Sequence, residues 1–308
     1  YNIYIKKVKN MFFKKFKGPL LLLITAFFWG TTFVAQSLGS NHVGAFTYNA
    51  GRFIITGVIL LIISFFRKRN IKEYIPSSKS VKWIFIMAIF VGVALFMGST
   101  FQQLGINITK SPSKSGFISS LYMVIVPIIG YFIRKKPKPI IWLYLGLAIV
   151  GSYLISVTGD FKLELGDILT LICAMMFAVQ ITLVDIINPH IDSVKLSAMQ
   201  FIVAGILSFI FMLFTEKVNF YNIYLALPAI LYAAIFSGCI AYTFQIIGQK
   251  YTEPTIASMI MSLESVFALF GGVIILKEEL TLRLIIGCIL IFISVVCAQI
   301  DFKKLFTR

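Results

Sequence analysis

Charge is scarce in this chain, and negative charge is scarcest. Only 13% of the 308 residues are charged, 12 of them Asp or Glu against 28 Lys or Arg, while 59% are hydrophobic. A soluble domain carries about 25% charged residues, so this balance, with a mean hydropathy of +0.93, excludes one. Histidine is nearly absent: His42 and His190 fall in different loops at opposite ends of apolar runs, too far apart to share a metal. The four cysteines, Cys173, Cys239, Cys288 and Cys297, all lie inside apolar stretches without metal-ligand spacing. They read as small core residues. No disulfide framework, metal or cofactor is expected. Long polar connections are also missing, the longest being residues 67–80, which leaves no room for a hidden soluble domain.

What the chain has in abundance is apolar runs. A hydrocarbon core about 30 Å thick needs roughly 20 helical residues at about 1.5 Å each. Runs of that length occur at about 19–38, 44–66, 81–104, 113–133, 139–157, 166–187, 194–214, 224–248, 255–276 and 281–300. These define an all-α membrane protein with ten transmembrane helices. The net charge of +16 does not point to nucleic acid, because the basic residues cluster in short segments beside apolar runs. Such clusters encode orientation in a membrane. The arm 1–17 carries six lysines interleaved with aromatics, a pattern that suits anionic lipid. The 67–82 segment carries six basic residues and Arg134–Lys138 four, while the intervening connections hold none between spans 1 and 2 and only Lys110 and Lys114 between spans 3 and 4. Both termini are therefore expected in the cytoplasm of a cell with this protein in its plasma membrane, and the loop with Asp160, Glu164 and Asp167 outside. In the second half the bias nearly vanishes, Lys195 and Lys250 standing against Lys217, Lys277 and Arg283.

The chain repeats itself. Thr100-Phe101-Gln102 with Gly105 matches Thr243-Phe244-Gln245 with Gly248 at an offset of 143, a register that also aligns Ser119 with Ser262. An offset of 148 aligns Trp29-Gly30 with Phe177-Ala178, His42 with His190, and Arg52-Phe53 with Gln200-Phe201. Five spans per half is an odd number, so the second half enters the membrane from the opposite side. The result is two inverted five-helix repeats, a plan of secondary transporters whose substrate site lies near the midplane between halves. The organisation expected is a basic juxtamembrane arm (1–17), a first repeat (18–158), a second repeat (166–302) and a cytoplasmic tail (303–308).

One residue stands apart. Thr255–Leu276 is a 22-residue run whose single ionisable group is Glu264. A charge in mid-membrane costs about 2.5–3.5 kcal/mol on insertion scales, so such groups face protein or a watery cavity. Ala257, Ala268, Gly271 and Gly272 lie on or near its stripe and would let a neighbouring helix come close. Glu264 is either a coupling or substrate-binding carboxyl or a protonated one hydrogen-bonded between helices. Gln102, Gln103, Asn107, Gln245 and Gln249, together with Ser119, Ser120 and Tyr122, suggest a polar cavity, with interhelical hydrogen bonding as the alternative for any one of them. Arg52 could snorkel to the outer interface or touch substrate; Trp29 could stack on a substrate ring or pack beside Gly30. Pro127 is expected to kink span 4 or to pack there.

The motifs Phe28-Trp29-Gly30, Arg52-Phe53, Ser115-Gly116-Phe117-Ile118 through Val126-Pro127, and Ser262-Leu263-Glu264 through Glu278-Glu279 resemble the EamA-type ten-span branch of the drug/metabolite transporter superfamily. The likeness covers about residues 18–302. It departs at Ser265, where the family commonly has proline, and at Lys135 and Lys136, where an acidic residue is often found. It implies a basket in which spans 1, 3, 4, 6, 8 and 9 surround a central cavity and spans 5 and 10 are peripheral. The expected function is a secondary transporter exporting a small organic solute: a metabolite, amino acid or amphiphilic compound. Glu264, Gln102, Gln245, Tyr122, Trp29, Ser119 and Arg52 are its candidate substrate-binding or coupling residues. Candidate partners are the solute, membrane lipid, protons as coupling ion and a second copy of the chain. An intramembrane enzyme and a scaffold or receptor are the competing readings. The first lacks a paired-carboxylate, Ser/His or Cys/His set at one depth, and the second lacks soluble modules.

Overall fold

The computed structural model describes residues 2–67, 80–109, 112–133, 136–156, 164–275 and 280–299. The basic stretch 68–79, Lys110, Arg134, Lys135, the 157–163 loop with Asp160, Lys277–Glu279 and the tail from residue 300 lie outside the described residues, and with them most of the orientation signal. What is described is helical: α1 (Asn2–Gly39), α2 (Ala45–Phe66), α3 (Val81–Thr109), α4 (Pro112–Ser120), α5 (Tyr122–Phe132), α6 (Pro139–Ser156), α7 (Leu165–Ile187), α8 (Ser193–Thr215), α9 (Phe220–Tyr232), α10 (Thr243–Gln249), α11 (Pro254–Met261), α12 (Glu264–Ile275) and α13 (Leu282–Gln299). Among the described residues, nine helical stretches are long and apolar enough to cross a membrane, and α6 is a shorter apolar helix. The protein is a multi-pass membrane protein.

The burial pattern is that of a bundle in lipid. Leu61, Phe90, Leu143, Leu213 and Phe292 point outward, whereas Gln36, Gln103, Gln180 and Gln200 are buried inside. Hydrocarbon gives apolar side chains no reason to turn inward, while each polar group must find a partner within the protein. Successive spans run antiparallel. The end holding Gly44 and Glu216 is here called distal, and the end holding His190 and Glu253 proximal. α3 lies along α7, α2 along α8, α6 along α13, and α1 against both α12 and the α9–α10 stack.

Three local irregularities shape the centre. α4 ends at Ser120 and α5 begins at Tyr122, with Leu121 N–H reaching back only three residues to Ile118 O at 3.3 Å. α11 and α12 are separated in the same way, Leu263 N–H bonding Ile260 O at 3.2 Å. Serines precede each break and bond their own helix: Ser119 to Gly116 O and Ser120 to Phe117 O in one, Ser258 to Thr255 O and Ser262 to Met259 O in the other. Such back-bonding competes with the helix ladder and bends it. The expected kink in span 4 thus falls at Leu121, and Pro127 sits a turn and a half beyond it inside α5. The third irregularity is the π-helix Ala233–Tyr242 between α9 and α10. Thr56 Oγ1 donates to Ala234 O at 2.9 Å and Thr25 Oγ1 to Ala241 O at 3.0 Å. Hydroxyls from α2 and α1 thereby bond carbonyls at both ends of the wide turns.

Of the small residues expected near Glu264, Ala268 and Gly271 lie where α12 meets α1, while Ala257 belongs to α11. A Cβ on Gly30 would lie 2.5 Å from Glu264 O and 2.8 Å from Ala268 N, both backbone atoms that cannot step aside. Gly30→Ala is therefore expected to push α1 off α12 and to cost about 1–3 kcal/mol. Thermal unfolding of the detergent-solubilised protein would register it as a lower midpoint, and an unchanged midpoint would refute the close approach.

Candidate functional site

Glu264 is the first residue of α12, and Tyr122 the first residue of α5, so both broken spans deliver a polar side chain from the break itself. α1 contributes Trp29, Thr32, Phe33 and Gln36, α2 Arg52, α3 Gln102, α7 Phe177, and the π-helix Ser237 and Tyr242. Together these eleven side chains enclose a cavity of about 20 Å³, the size of one water molecule. The site is narrow and central.

Its electrostatics rest on two groups. Glu264 is 3% exposed, and its Oε1 has no hydrogen-bond partner. Arg52 is 5% exposed; its Nε donates to Asn49 Oδ1 at 3.0 Å, and its guanidinium lies 4.6 Å from the Phe53 ring and 5.4 Å from the Tyr48 ring. Among the described residues no carboxylate stands within ion-pair distance of it. Buried ions and polar atoms without partners are costly. Trp29 Nε1 is also buried and unbonded, and the Tyr122 hydroxyl lies beside the Glu264 carboxyl, so the walls hold donors and acceptors that a ligand could engage. The Trp29 and Tyr242 rings pack at a tilt of 54° with centroids 4.8 Å apart. Among the described residues no group of His, Cys, Asp and Glu is placed to hold a metal.

A second, larger cavity of about 630 Å³ opens at the proximal end, lined among others by Val126, Gly130, Lys136, Thr182, Asp185, Gln249, Lys250 and Glu253. Tyr122, Val126, Gly130 and Ile133 follow one another at three- and four-residue steps on α5. One stripe of that helix therefore runs from the central cavity, which Tyr122 lines, to the vestibule, which the other three line.

Of the seven sequence candidates the structure brings five together: Glu264, Arg52, Gln102, Tyr122 and Trp29. Ser119 and Gln245 are not in the cavity wall. Ser119 spends its hydroxyl on Gly116 O in its own helix. Gln245 Nε2 donates to Gln180 Oε1, and Gln180 Nε2 donates to Gln200 Oε1, both at 3.0 Å, so a chain of three buried amides holds it between helices. Arg52 does not snorkel to an interface but turns into the cavity, because Asn49, Tyr48 and Phe53 hold it there. Sequence reasoning missed Thr32, Phe33, Gln36, Phe177, Ser237 and Tyr242. The repeat register already paired Trp29 with Phe177, and Gln36 is a polar residue in mid-span whose Nε2 donates to Gln102 Oε1 at 3.1 Å. Nothing in the sequence announced a π-helix, which alone puts Ser237 and Tyr242 on the cavity side.

The profile of the EamA-like transporter family matches the chain twice, over residues 16–157 and 164–299. The chain belongs to that family. An uncharacterized transporter of Archaeoglobus fulgidus is 31% identical over 289 residues, covering 93% of this chain and 87% of the relative. The uncharacterized transporter YoaV of Bacillus subtilis is 22% identical over 298 residues, covering 94% and 98%. A solved crystal structure superposes with a TM-score of 0.75 at 16% identity, over 94% of this chain and 99% of the other, and shows a shared fold. This EamA-like protein is thus a membrane transporter, with the central cavity as its candidate solute site.

Proposed function

We propose that this transporter carries a small organic solute across the plasma membrane by alternating access, in the direction of export, as ten spans in two inverted repeats and without enzymatic chemistry. The observation that carries the reading is the central cavity, where both halves of the chain contribute walls and where Arg52 and Glu264 are buried without pairing to each other. A guanidinium and a carboxyl held apart between aromatic side chains suit a solute with a carboxylate at one end and an amine at the other, such as an amino acid. Protons are the proposed coupling ion, through Glu264. The cavity wall has a single carboxyl and no serine–histidine or cysteine–histidine pair, which favours carriage over catalysis.

Several features support the inverted repeat. The two breaks, at Leu121 and Leu263, differ by 142 residues, close to the sequence offset of 143. α1 runs along the α9–α10 stack as α7 runs along α3, while α2 and α6 pack on their own counterparts α8 and α13. The two family matches divide the chain at nearly the same place as the repeat boundaries 18–158 and 166–302. A polar vestibule lies at the proximal end, the cytoplasmic one if the basic segments orient the chain, and a mainly apolar cavity of about 530 Å³ lies between α1 and α9 at the distal end.

The test is flux through purified protein in liposomes, over a library of amino acids and related metabolites, with and without a pH gradient. Accumulation of a zwitterionic solute that requires the gradient is the expected result. Flux confined to uncharged amphiphiles would reject the charge-pair reading, and an absence of any carried compound would reject transport of this solute class.

A further inference from the structure

By the repeat registers α1 and α9 correspond to α7 and α3, but side chains fill the space between the two pairs differently. Beside α3 and α7, Trp83 and Leu183 pack onto a buried cluster that includes Ile84, Ala88, Val184 and Ile187, and the Trp83 ring stands edge-on to the His190 ring with centroids 5.5 Å apart. The offset of 143 puts Ala226 in the place of Trp83 and Ala229 in that of Ile86, and the offset of 148 puts Ala35 in the place of Leu183 and His42 in that of His190. Alanines thus stand where the other pair carries a tryptophan, an isoleucine and a leucine. Ala35, His42, Ala226 and Ala229 all line the distal cavity of about 530 Å³. Protein interiors otherwise pack to the density of organic crystals, and the missing side-chain volume accounts for a cavity at this place.

The position and depth of the cavity say what it meets. On α1 it is lined by Thr31, Val34, Ala35 and Leu38, whereas the central cavity is lined by Trp29, Thr32, Phe33 and Gln36. At 3.6 residues per turn the two sets lie on opposite faces of the helix. The distal cavity therefore sits behind the central one, with α1 between them, and opens on the outside of the bundle, where Leu38 and Leu225 are exposed. Leu38 follows Thr31 by about 10 Å along the helix, and Thr31 stands just beyond the middle of the Phe16–Gly39 span. One leaflet of hydrocarbon is about 15 Å deep, half of the whole core, so the groove reaches from the distal interface nearly to the midplane. Asn41 and His42, both exposed, form its outer rim. Its inner end is closed by a hydrogen bond of 2.7 Å between Thr31 Oγ1 and Tyr232 Oη, with the Phe236 ring packed 4.9 Å from that of Tyr232.

We infer that this groove is a binding site for one acyl chain of a phospholipid in the distal leaflet, whose headgroup rests at Asn41 and His42. A groove that opens sideways within the span of the membrane meets hydrocarbon and not water. Its lining is mainly apolar, its polar rim stands at the interface, and its depth is that of most of one leaflet. Each of these suits a lipid chain. Seated there, the chain packs against the back of α1 and supplies the contacts that α3 and α7 obtain from Trp83 and Leu183. The site lies on the lipid side of α1 and is independent of which solute the central cavity takes.

The test is photo-cross-linking in liposomes that contain phosphatidylcholine with a diazirine midway along one acyl chain, read by mass spectrometry of the labelled peptides. The wild-type protein is expected to be labelled along residues 31–42 and 225–232 several times more heavily than along the outward side of α6 at Leu143 and Val150, which reports contact with bulk lipid. Ala35→Leu combined with Ala229→Ile installs the side chains that α7 and α3 carry at these places. Denying burial to two methylenes of the chain should lower labelling of the groove about tenfold, with labelling of α6 unchanged. Ala229→Trp alone leaves α1 untouched and should lower it in the same way, so a failure of the double variant to insert does not end the test. Wild-type labelling of the groove no heavier than that of α6 would mean bulk lipid contact only and would overturn the site, as would labelling that both filled variants leave unchanged. Leu38→Cys, with the four native cysteines replaced, adds the other occupant: a disulfide between two copies together with weak lipid labelling would assign the groove to a dimer and overturn the inference.

Discussion

Glu264→Gln is expected to abolish gradient-driven accumulation while leaving the protein inserted and folded. The substitution keeps the volume of the side chain and one of its acceptor oxygens, in a position where α1 crosses α12 with Gly30 against the backbone of Glu264. Packing at that crossing depends on the absence of a side chain on α1, and Gln places nothing new there. What the variant loses is the ability to take up and release a proton. If the carboxyl exchanges a proton when the cavity opens, Gln removes the only acidic group in the cavity wall, and with it the link between a pH gradient and solute movement. Exchange of solute down its own gradient should persist at lower affinity, because Gln still accepts a hydrogen bond from the amine without the charge, and accumulation should fall at least tenfold, to the level of empty liposomes. Glu264→Asp should keep part of the activity, because it can still ionise. Measuring counterflow and gradient-driven uptake in the same liposomes separates the two activities. Wild-type accumulation in the Gln variant would make Glu264 a structural residue, the other role its sequence context allows.

Arg52→Gln is the second large effect. The counterpart of Arg52 in the other half is Gln200, which is buried and bonded to Gln180, so this helix position accepts the smaller amide without breaking the fold. Arg52 itself holds one side-chain hydrogen bond, to Asn49, and two aromatic faces. Its guanidinium therefore has donors left for an anionic group. A charge-assisted hydrogen bond contributes about 1.5–3 kcal/mol, so replacing it with Gln should weaken binding of a carboxylate-bearing solute by about ten- to a hundredfold. The amide or ester of the same solute should lose far less. Competition binding with the acid and its amide would show this; equal losses for both would mean that Arg52 supports the cavity wall and does not read the carboxylate.

Much of the site is legible in the amino-acid sequence. A lone acidic residue in a 22-residue apolar run has few tolerable environments, so Glu264 has to face protein, and it does. The repeat register pairs Trp29 with Phe177, and both line the cavity. Gln245 shows where such reasoning stops. It is the repeat partner of Gln102 and equally polar, yet Gln180 and Gln200 satisfy it, whereas Gln102 meets Gln36 at the edge of the cavity. Equivalent positions acquired different partners, and partners are not visible in a one-dimensional pattern.

The sequence by itself determined the class of this protein: multi-pass, helical, twofold in its own repetition, with its single mid-span carboxyl inside. These follow from hydropathy, span length and the cost of burying charge, which act on each segment alone. Only the tertiary structure decided that Arg52 turns inward, that Leu121 and Leu263 interrupt their helices, that Thr25 and Thr56 bond the ends of a π-helix, and that Glu216 caps a helix 169 residues away at Thr47. Each of these depends on a hydrogen bond or ring contact between elements, and a polar group in a lipid-enclosed bundle takes whichever partner the packing brings within about 3 Å.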